Sequence, residues 1–380
     1  MPDLSTKPTE RLAHARIGVT LLFLANGAGF GAWAASVPGV KDALAISASA
    51  LGAALLCVAF GAMLAMPLVG WLGARHVPRL LTGTALVLML ALPLPGLVGS
   101  VPALAACLLL MGAGAGSMDV CMNARASRVE QEWDAPIMSS FHAAFSLGGL
   151  LGTGLVALSQ WLGFGILGGL LLTSAVLAAS AATHFLLDPD PALAEAESGR
   201  RFAWPSAAVA GIGALCFLAF MTEGAVADWS GVFLRSVAGF SAPAGAAGFA
   251  AFSAAMVIAR LLGDATVHRF GRATVLTSGA LLAGAGLALA IAFPAIGPAG
   301  FALVGLGGAN MAPILFSAAG RAGPAASTGV AAVATLGYGG MLLGPPLIGV
   351  LADTIGLRFA LGILVAAMAA IFLGARRIAP

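Results

Sequence analysis

Charge is scarce in this chain: Asp, Glu, Lys and Arg make up 9% of its 380 residues. A water-soluble protein carries about a quarter, so most of this surface must meet lipid. Cysteine is scarcer still, with four residues. Cys57, Cys107, Cys121 and Cys216 stand singly inside apolar runs, which excludes a disulfide framework or a thiolate metal motif and leaves reduced packing residues. No Walker-type phosphate loop is present, so ATP is not expected to drive the protein directly. No metal-ligand triad appears, and only His142 near Asp119 approaches a base–acid pair of the kind a membrane-embedded enzyme would need. The chain is therefore expected not to be an enzyme, and to hold no metal or cofactor and bind no nucleic acid. The polar segment Met1 to Arg16 lacks a cleavable signal pattern.

What is abundant is apolar sequence, 60% of the chain. It falls into twelve runs, each long enough as a helix to cross about 30 Å of hydrocarbon. The first six lie near 17–38, 48–72, 79–98, 102–124, 136–158 and 163–187. The second six lie near 205–232, 243–266, 272–293, 297–319, 326–351 and 357–374. The longest polar break, Asp188 to Arg201, separates the two sets. The expected organisation is an all-α membrane protein with a six-helix bundle over 1–187, a cytoplasmic linker over 188–204 and a second bundle over 205–380.

The basic residues orient it. With the N-terminus inside, Lys7, Arg11, Arg16, Arg75, Arg79, Arg125, Arg128, Arg200, Arg201, Arg269, Arg272, Arg321, Arg376 and Arg377 fall on the cytoplasmic side. Only Lys41, Arg235 and Arg358 fall outside, and Arg260 lies inside span 8. That asymmetry predicts cytoplasmic termini around an even number of spans.

The halves also repeat at an offset near 194. Gly112-x-Gly114 meets Gly305-x-Gly307, Arg75 meets Arg269, and Trp33 approaches Trp229. Parallel six-helix repeats are the plan of major facilitator transporters. Packing features should recur in both halves, while substrate chemistry need not. Asp119 falls on Ala312 and Asn123 on Phe316, so neither recurs.

Those two residues sit in the glycine-rich stretch Gly112-Ala-Gly-Ala-Gly116-Ser117-Met118-Asp119-Val-Cys-Met-Asn123. Four residues apart, they share one helix face. An Asp in mid-membrane costs about 2.5–3.5 kcal/mol to insert, so this face is expected to line a transport path. The plainer alternative is a buried Asp held by span 5 for structure alone. His142 lies six residues past Pro136, and Asp119 six before Arg125. Both are therefore expected about 9 Å inside the cytoplasmic boundary, on antiparallel neighbours.

Glu223 stands near the middle of span 7 with no polar residue near it in sequence, and is read as a substrate or proton site. Asp228 lies nearer the outer mouth, where gating against Arg235 or Lys41 competes with plain solvation. Asn26, Phe30 and Trp33 share one face of span 1, and Asn26 turns that stripe toward the cavity. Asn310 and Tyr338, the chain's single tyrosine, are further candidates on spans 10 and 11. Arg260 with Asp264 forms an i, i+4 pair and is read as a conformational latch.

Several loops carry a family resemblance. Gly349-Val-Leu-Ala-Asp353-Thr-Ile-Gly356-Leu-Arg358 resembles the major facilitator element Gly-x3-Asp-x2-Gly-x-Arg. Gly263-Asp264 with Arg269-Phe-Gly271-Arg272 resembles the same element, and Gly70 to Arg79 is a degraded copy. The resemblance implies gating roles for Asp264, Arg269, Asp353 and Arg358. Asp119-x3-Asn123 followed by His142-x3-Ser146-x-Gly148 is similar to the fucose-permease branch, whose members carry an acid-x3-Asn pair on span 4 and Gln at the position of His142. The acid of that branch on span 1 would fall at Ala34. Glu223-Gly-Ala-x2-Asp228-Trp229-Ser230 resembles uncharacterised bacterial members.

Together these readings predict a monomeric secondary transporter of the bacterial inner membrane. It would move a small polar solute, sugar-like or another metabolite, by alternating access with proton coupling. Low dielectric favours the neutral form of a carboxyl, so Asp119 or Glu223 could take up and release the proton. Proton-antiport efflux of drugs or metabolites is the alternative and would use the same carboxylates.

Overall fold

The computed structural model describes residues 8–46, 48–72, 77–187, 206–240, 247–322 and 326–378. The linker 188–204, Lys7 and Arg75 lie outside these residues, as do the side chains of Lys41, Arg79 and Arg377.

Among the described residues the chain is helical and has no strand. The first half comprises α1 (Pro8–Leu44), α2 (Ala48–Leu72), α3 (Val77–Ala91), α4 (Val101–Trp133), α5 (Met138–Trp161) and α6 (Gly165–Leu187). The second begins with α7 (Ala207–Ser236), α8 (Ala247–Leu261), α9 (Gly263–Phe270) and α10 (Arg272–Ala292). It ends with α11 (Gly297–Gly308), α12 (Met311–Ala322), α13 (Ala326–Ile355), α14 (Leu357–Ala360) and α15 (Gly362–Ile378). Among the described residues, ten helical stretches are long and apolar enough to cross a membrane, α11 and α12 counting as one. The pair α8–α9, bent by 58°, makes an eleventh, and the shorter apolar Leu80–Gly96 stands where the third span is expected. Each of the twelve apolar runs is thus helical.

Capping chemistry sets several ends. The Ser100 hydroxyl accepts from Ala103 N at 3.4 Å to open α4, and Ser206 accepts from Val209 N at 3.3 Å to open α7. Gly271 (φ 80°) and Gly356 (φ 81°) turn the chain between α9 and α10 and between α13 and α14. Both are the second glycine of the family-like loop element, and only glycine takes that backbone without strain.

Hydropathy misjudges three spans. α4 does not stop near residue 124 but runs to Trp133. Its last turns, Ala124 to Glu130, are polar in sequence yet mostly buried, Arg125 and Glu130 included. Spans 8 and 10 are each interrupted, at Leu262 and at Ala309–Asn310.

The chain divides into two compact units. The first holds α1–α6, without the segment Pro136–Ser140 but with the start of α13 up to Ala331; the second holds the rest. In the first, α2 packs along α4, α1 along α4 and α6, and α3 against α4 and α6. In the second, α8 packs along α11, α7 along α12 and α15, and α10 along α11 and α15. The repeat read in sequence therefore recurs as one packing scheme. Glycine makes the closest crossings possible: a Cβ at Gly112 would strike the Val58 carbonyl of α2, and one at Gly305 the Phe252 carbonyl of α8.

Candidate functional site

In the first unit, α4 and α5 bring Asp119, Asn123 and His142 into one hydrogen-bonded chain. One helical turn separates Asp119 from Asn123, so Asn123 Nδ2 donates to the Asp119 carboxylate Oδ1 at 3.1 Å and to its backbone carbonyl at 2.9 Å. Asn123 Oδ1 lies 3.2 Å from His142 Nε2. A carboxamide oxygen can only accept, so this contact places the imidazole proton on Nε2. All three side chains are buried, Asn123 completely. Asp119 Oδ2 is buried and has no partner among the described residues.

The surroundings are aromatic and soft. Phe23 of α1 meets the His142 ring edge-on at 5.3 Å and stacks on Phe141 at 5.6 Å. Asn26 Nδ2 reaches Met122 Sδ at 3.7 Å, which ties α1 to α4. Trp33 is buried, whereas Phe30 is 62% exposed, so the expected stripe of span 1 divides between interior and surface.

The arrangement differs from the expected direct Asp–His pair: the carboxamide of Asn123 stands between them. α4 continues to Trp133, about 21 Å beyond Asp119 at 1.5 Å per residue, so Asp119 lies well inside the helix rather than near its end. At the same end of the unit, Arg16 lies over the Trp133 ring at 4.8 Å.

In the second unit the corresponding place is apolar. Phe220 meets Phe316 at 6.1 Å and Tyr338 at 5.9 Å, both edge-on. Glu223, one turn along α7 from Phe220, is not isolated as the sequence suggested. Its Oε1 lies 3.7 Å from Arg260 NH2 of α8. Glu223 also borders a cavity of about 10 Å³, with Thr222, Met256, Gly308 and Met311 among its walls. That is room for about one water molecule.

Arg260 and Asn310 tie the two interrupted spans together. Pro313 has no N–H and cannot bond the carbonyl four residues back, which is that of Ala309. Arg260 Nε donates to that carbonyl at 3.3 Å. In return, Asn310 Nδ2 donates to the Ala259 carbonyl at 3.3 Å, just before the bend at Leu262. Asn310 Oδ1 is buried without a partner among the described residues. Proline spacing was the available signal for the freed carbonyl; nothing in the sequence showed which donor would serve it.

The residues assigned to gating are dispersed. Asp264 Oδ2 accepts from Ser140 N at 3.0 Å, within the second unit. Arg269 is exposed over the Phe270 ring at 5.4 Å. Arg358 caps the end of α10, its Nε donating to the Ile291 carbonyl at 2.8 Å and its NH2 to that of Ala292 at 3.1 Å. Asp353 and Asp228 are exposed.

Comparison with known proteins agrees with this architecture. The chain is 39% identical over 355 residues to an uncharacterised MFS-type transporter of Yersinia pestis, covering 91% of each protein. It is 34% identical to the membrane protein MosC of Rhizobium meliloti, covering 96% of this chain and 90% of that one. Among solved structures, the E. coli fucose:proton symporter FucP superposes with a TM-score of 0.73 at 15% identity, over 98% of this chain and 100% of that one. A human organic anion transporter (TETRAN) does so at 0.70 and 17%, over 98% and 100%. The family model described as Major Facilitator Superfamily matches residues 19–345, and the chain belongs to that superfamily of membrane transporters, with its fold of twelve helices.

Proposed function

We propose that the chain is a proton-coupled secondary transporter that moves a small polar solute, sugar-like or another small metabolite, across the bacterial inner membrane by alternating access. The carrying observation is the buried chain His142–Asn123–Asp119, which ends on a carboxylate oxygen with no partner among the described residues. A carboxylate so placed can hold a proton, and the carboxamide and imidazole beside it can bond solute hydroxyls. The equivalent place in the second unit offers Ala312 and Phe316 instead, so the chemistry is not a by-product of the repeated scaffold. The likeness to a fucose:proton symporter fits this reading but concerns the fold alone. The solute itself is best found by a thermal-shift screen of purified protein against sugars, polyols, amino acids and organic acids. The direction of pH-driven flux then separates symport from antiport efflux.

Two measurements test the reading. Asn123→Ala removes the central member of the chain and should weaken the screened solute by about 0.5–1.5 kcal/mol, or about two- to thirteenfold in Kd by calorimetry. Unchanged affinity would place solute recognition elsewhere. The proposed orientation puts both termini in the cytoplasm. Single cysteines at Ser198 and Ser241, in a background freed of the four native ones, should then react with an impermeant reagent from opposite sides. Labelling of both from one side would sink that topology.

A further inference from the structure

We propose that the groove between α3 and α6 holds one acyl chain of an anionic phospholipid, with the headgroup at the arginine-bearing start of α3. The groove lies within the first unit and has a volume of about 440 Å³. Ala85 of α3 and Ala178 and Ala181 of α6 line it with small side chains, while Leu86, Phe185 and Leu186 are its larger walls. These three large residues are exposed, so the groove opens on the surface of the bundle. Thr82, in the second turn of α3, is the polar wall at that end.

The repeated scaffold does not require such an opening. In the second unit the corresponding helices, α10 and α15, pack along each other. They come so close that a Cβ at Gly284 would lie 3.3 Å from Met368 Cβ. The packing scheme therefore allows this pair of helices to close, yet α3 and α6 stay parted from Thr82 to Met89 and from Leu177 to Leu186.

Length and charge select the occupant. At 1.5 Å per residue the groove follows α3 for about 10 Å and α6 for about 14 Å. That is about half of the 30 Å hydrocarbon core, the depth of one leaflet. A partner's transmembrane helix would need the whole thickness, and an apolar cavity stays dry, so one lipid chain matches where a helix or water does not. The order of features matches too. Arg75 and Arg79 precede Thr82 in sequence, at the start of the third apolar run. A phospholipid carries its charge at the membrane boundary and its chains inward, and basic residues at that level attract anionic headgroups. Lipid tails are as apolar as leucine, so exchanging a chain between bilayer and groove is nearly neutral. The arginine end therefore sets which lipid is retained.

The experiment is native mass spectrometry of full-length protein, delipidated in detergent and titrated with phosphatidylglycerol or phosphatidylcholine of identical chains. Photo-crosslinking with the same lipids, carrying a diazirine in the acyl chain, locates the first one bound. The parent should bind a first phosphatidylglycerol at least about fivefold more tightly than phosphatidylcholine, the effect of one arginine near a headgroup. Its crosslinks should fall on α3 and α6. Arg79→Gln should lower the preference about fivefold. Ala182→Phe fills the groove from an exposed position; it should remove those crosslinks and weaken the first lipid of either headgroup. Leu281→Phe, exposed on α10, should change neither result. Equal affinity for the two lipids overturns the proposal, as does persistence of the α3 and α6 crosslinks in Ala182→Phe. A lipid-free dimer that Ala182→Phe dissociates would also overturn it, with a second copy as the occupant. Should Ala182→Phe not fold, Arg79→Gln still decides, because an unchanged preference overturns the assignment of the headgroup.

Discussion

Asp119→Asn is expected to abolish accumulation of solute against a gradient while leaving exchange intact. The substitution keeps the size of the side chain and an oxygen that can accept from Asn123 Nδ2, now 3.1 Å from Asp119 Oδ1. It removes the site at which a proton can be carried, because a carboxamide does not titrate. One proton moving down about 100 mV supplies about 2.3 kcal/mol, or about fiftyfold in concentration ratio. The parent should approach that ratio in energised proteoliposomes loaded with the solute found by screening. The variant should settle near unity, yet still exchange labelled for unlabelled solute. Accumulation equal to the parent would move the proton to Glu223 and leave Asp119 a structural role.

Gly112→Leu is expected to cost about 3 kcal/mol or more and to prevent folding of the first unit. Gly112 of α4 lies so close to α2 that its Cβ would fall on the Val58 carbonyl. Backbone cannot rotate away as a flexible side chain does, so the helices must part along their shared face. Overpacking alone costs about 1–3 kcal/mol, and separating two helices adds lost contact along several turns. Gly154→Leu is the control: it lies on the exposed face of α5, where an added Cβ meets nothing. The first variant should lose the monodisperse peak in detergent chromatography, while the second keeps the parent's peak and melting temperature. Equal behaviour of the two would mean that the α2–α4 crossing is more yielding than its geometry implies.

The sequence by itself determined the twelve helices, their two-fold repetition and the chemistry available on each. Lipid imposes these properties locally: a span must be about 20 apolar residues long, a charge inside one is expensive, and residues four apart share a face. That is why Asp119 and Asn123 could be paired from spacing alone, and why the glycines of α4 and α11 could be read as packing. Tertiary structure decided what hydropathy does not measure. The polar end of α4 remains helical because Arg125 and Glu130 are buried against protein, not lipid. Asn123 stands between Asp119 and His142 because the register of α5 against α4 sets the reach of the imidazole, and no spacing within one chain segment encodes that. Glu223 looked solitary in sequence because its partner comes from α8. Pro313 announced a free carbonyl at Ala309, but only the crossing of α8 with α11 and α12 brought Arg260 to it. Local rules fix what each helix offers; the contact of one helix with another selects which offers are taken up.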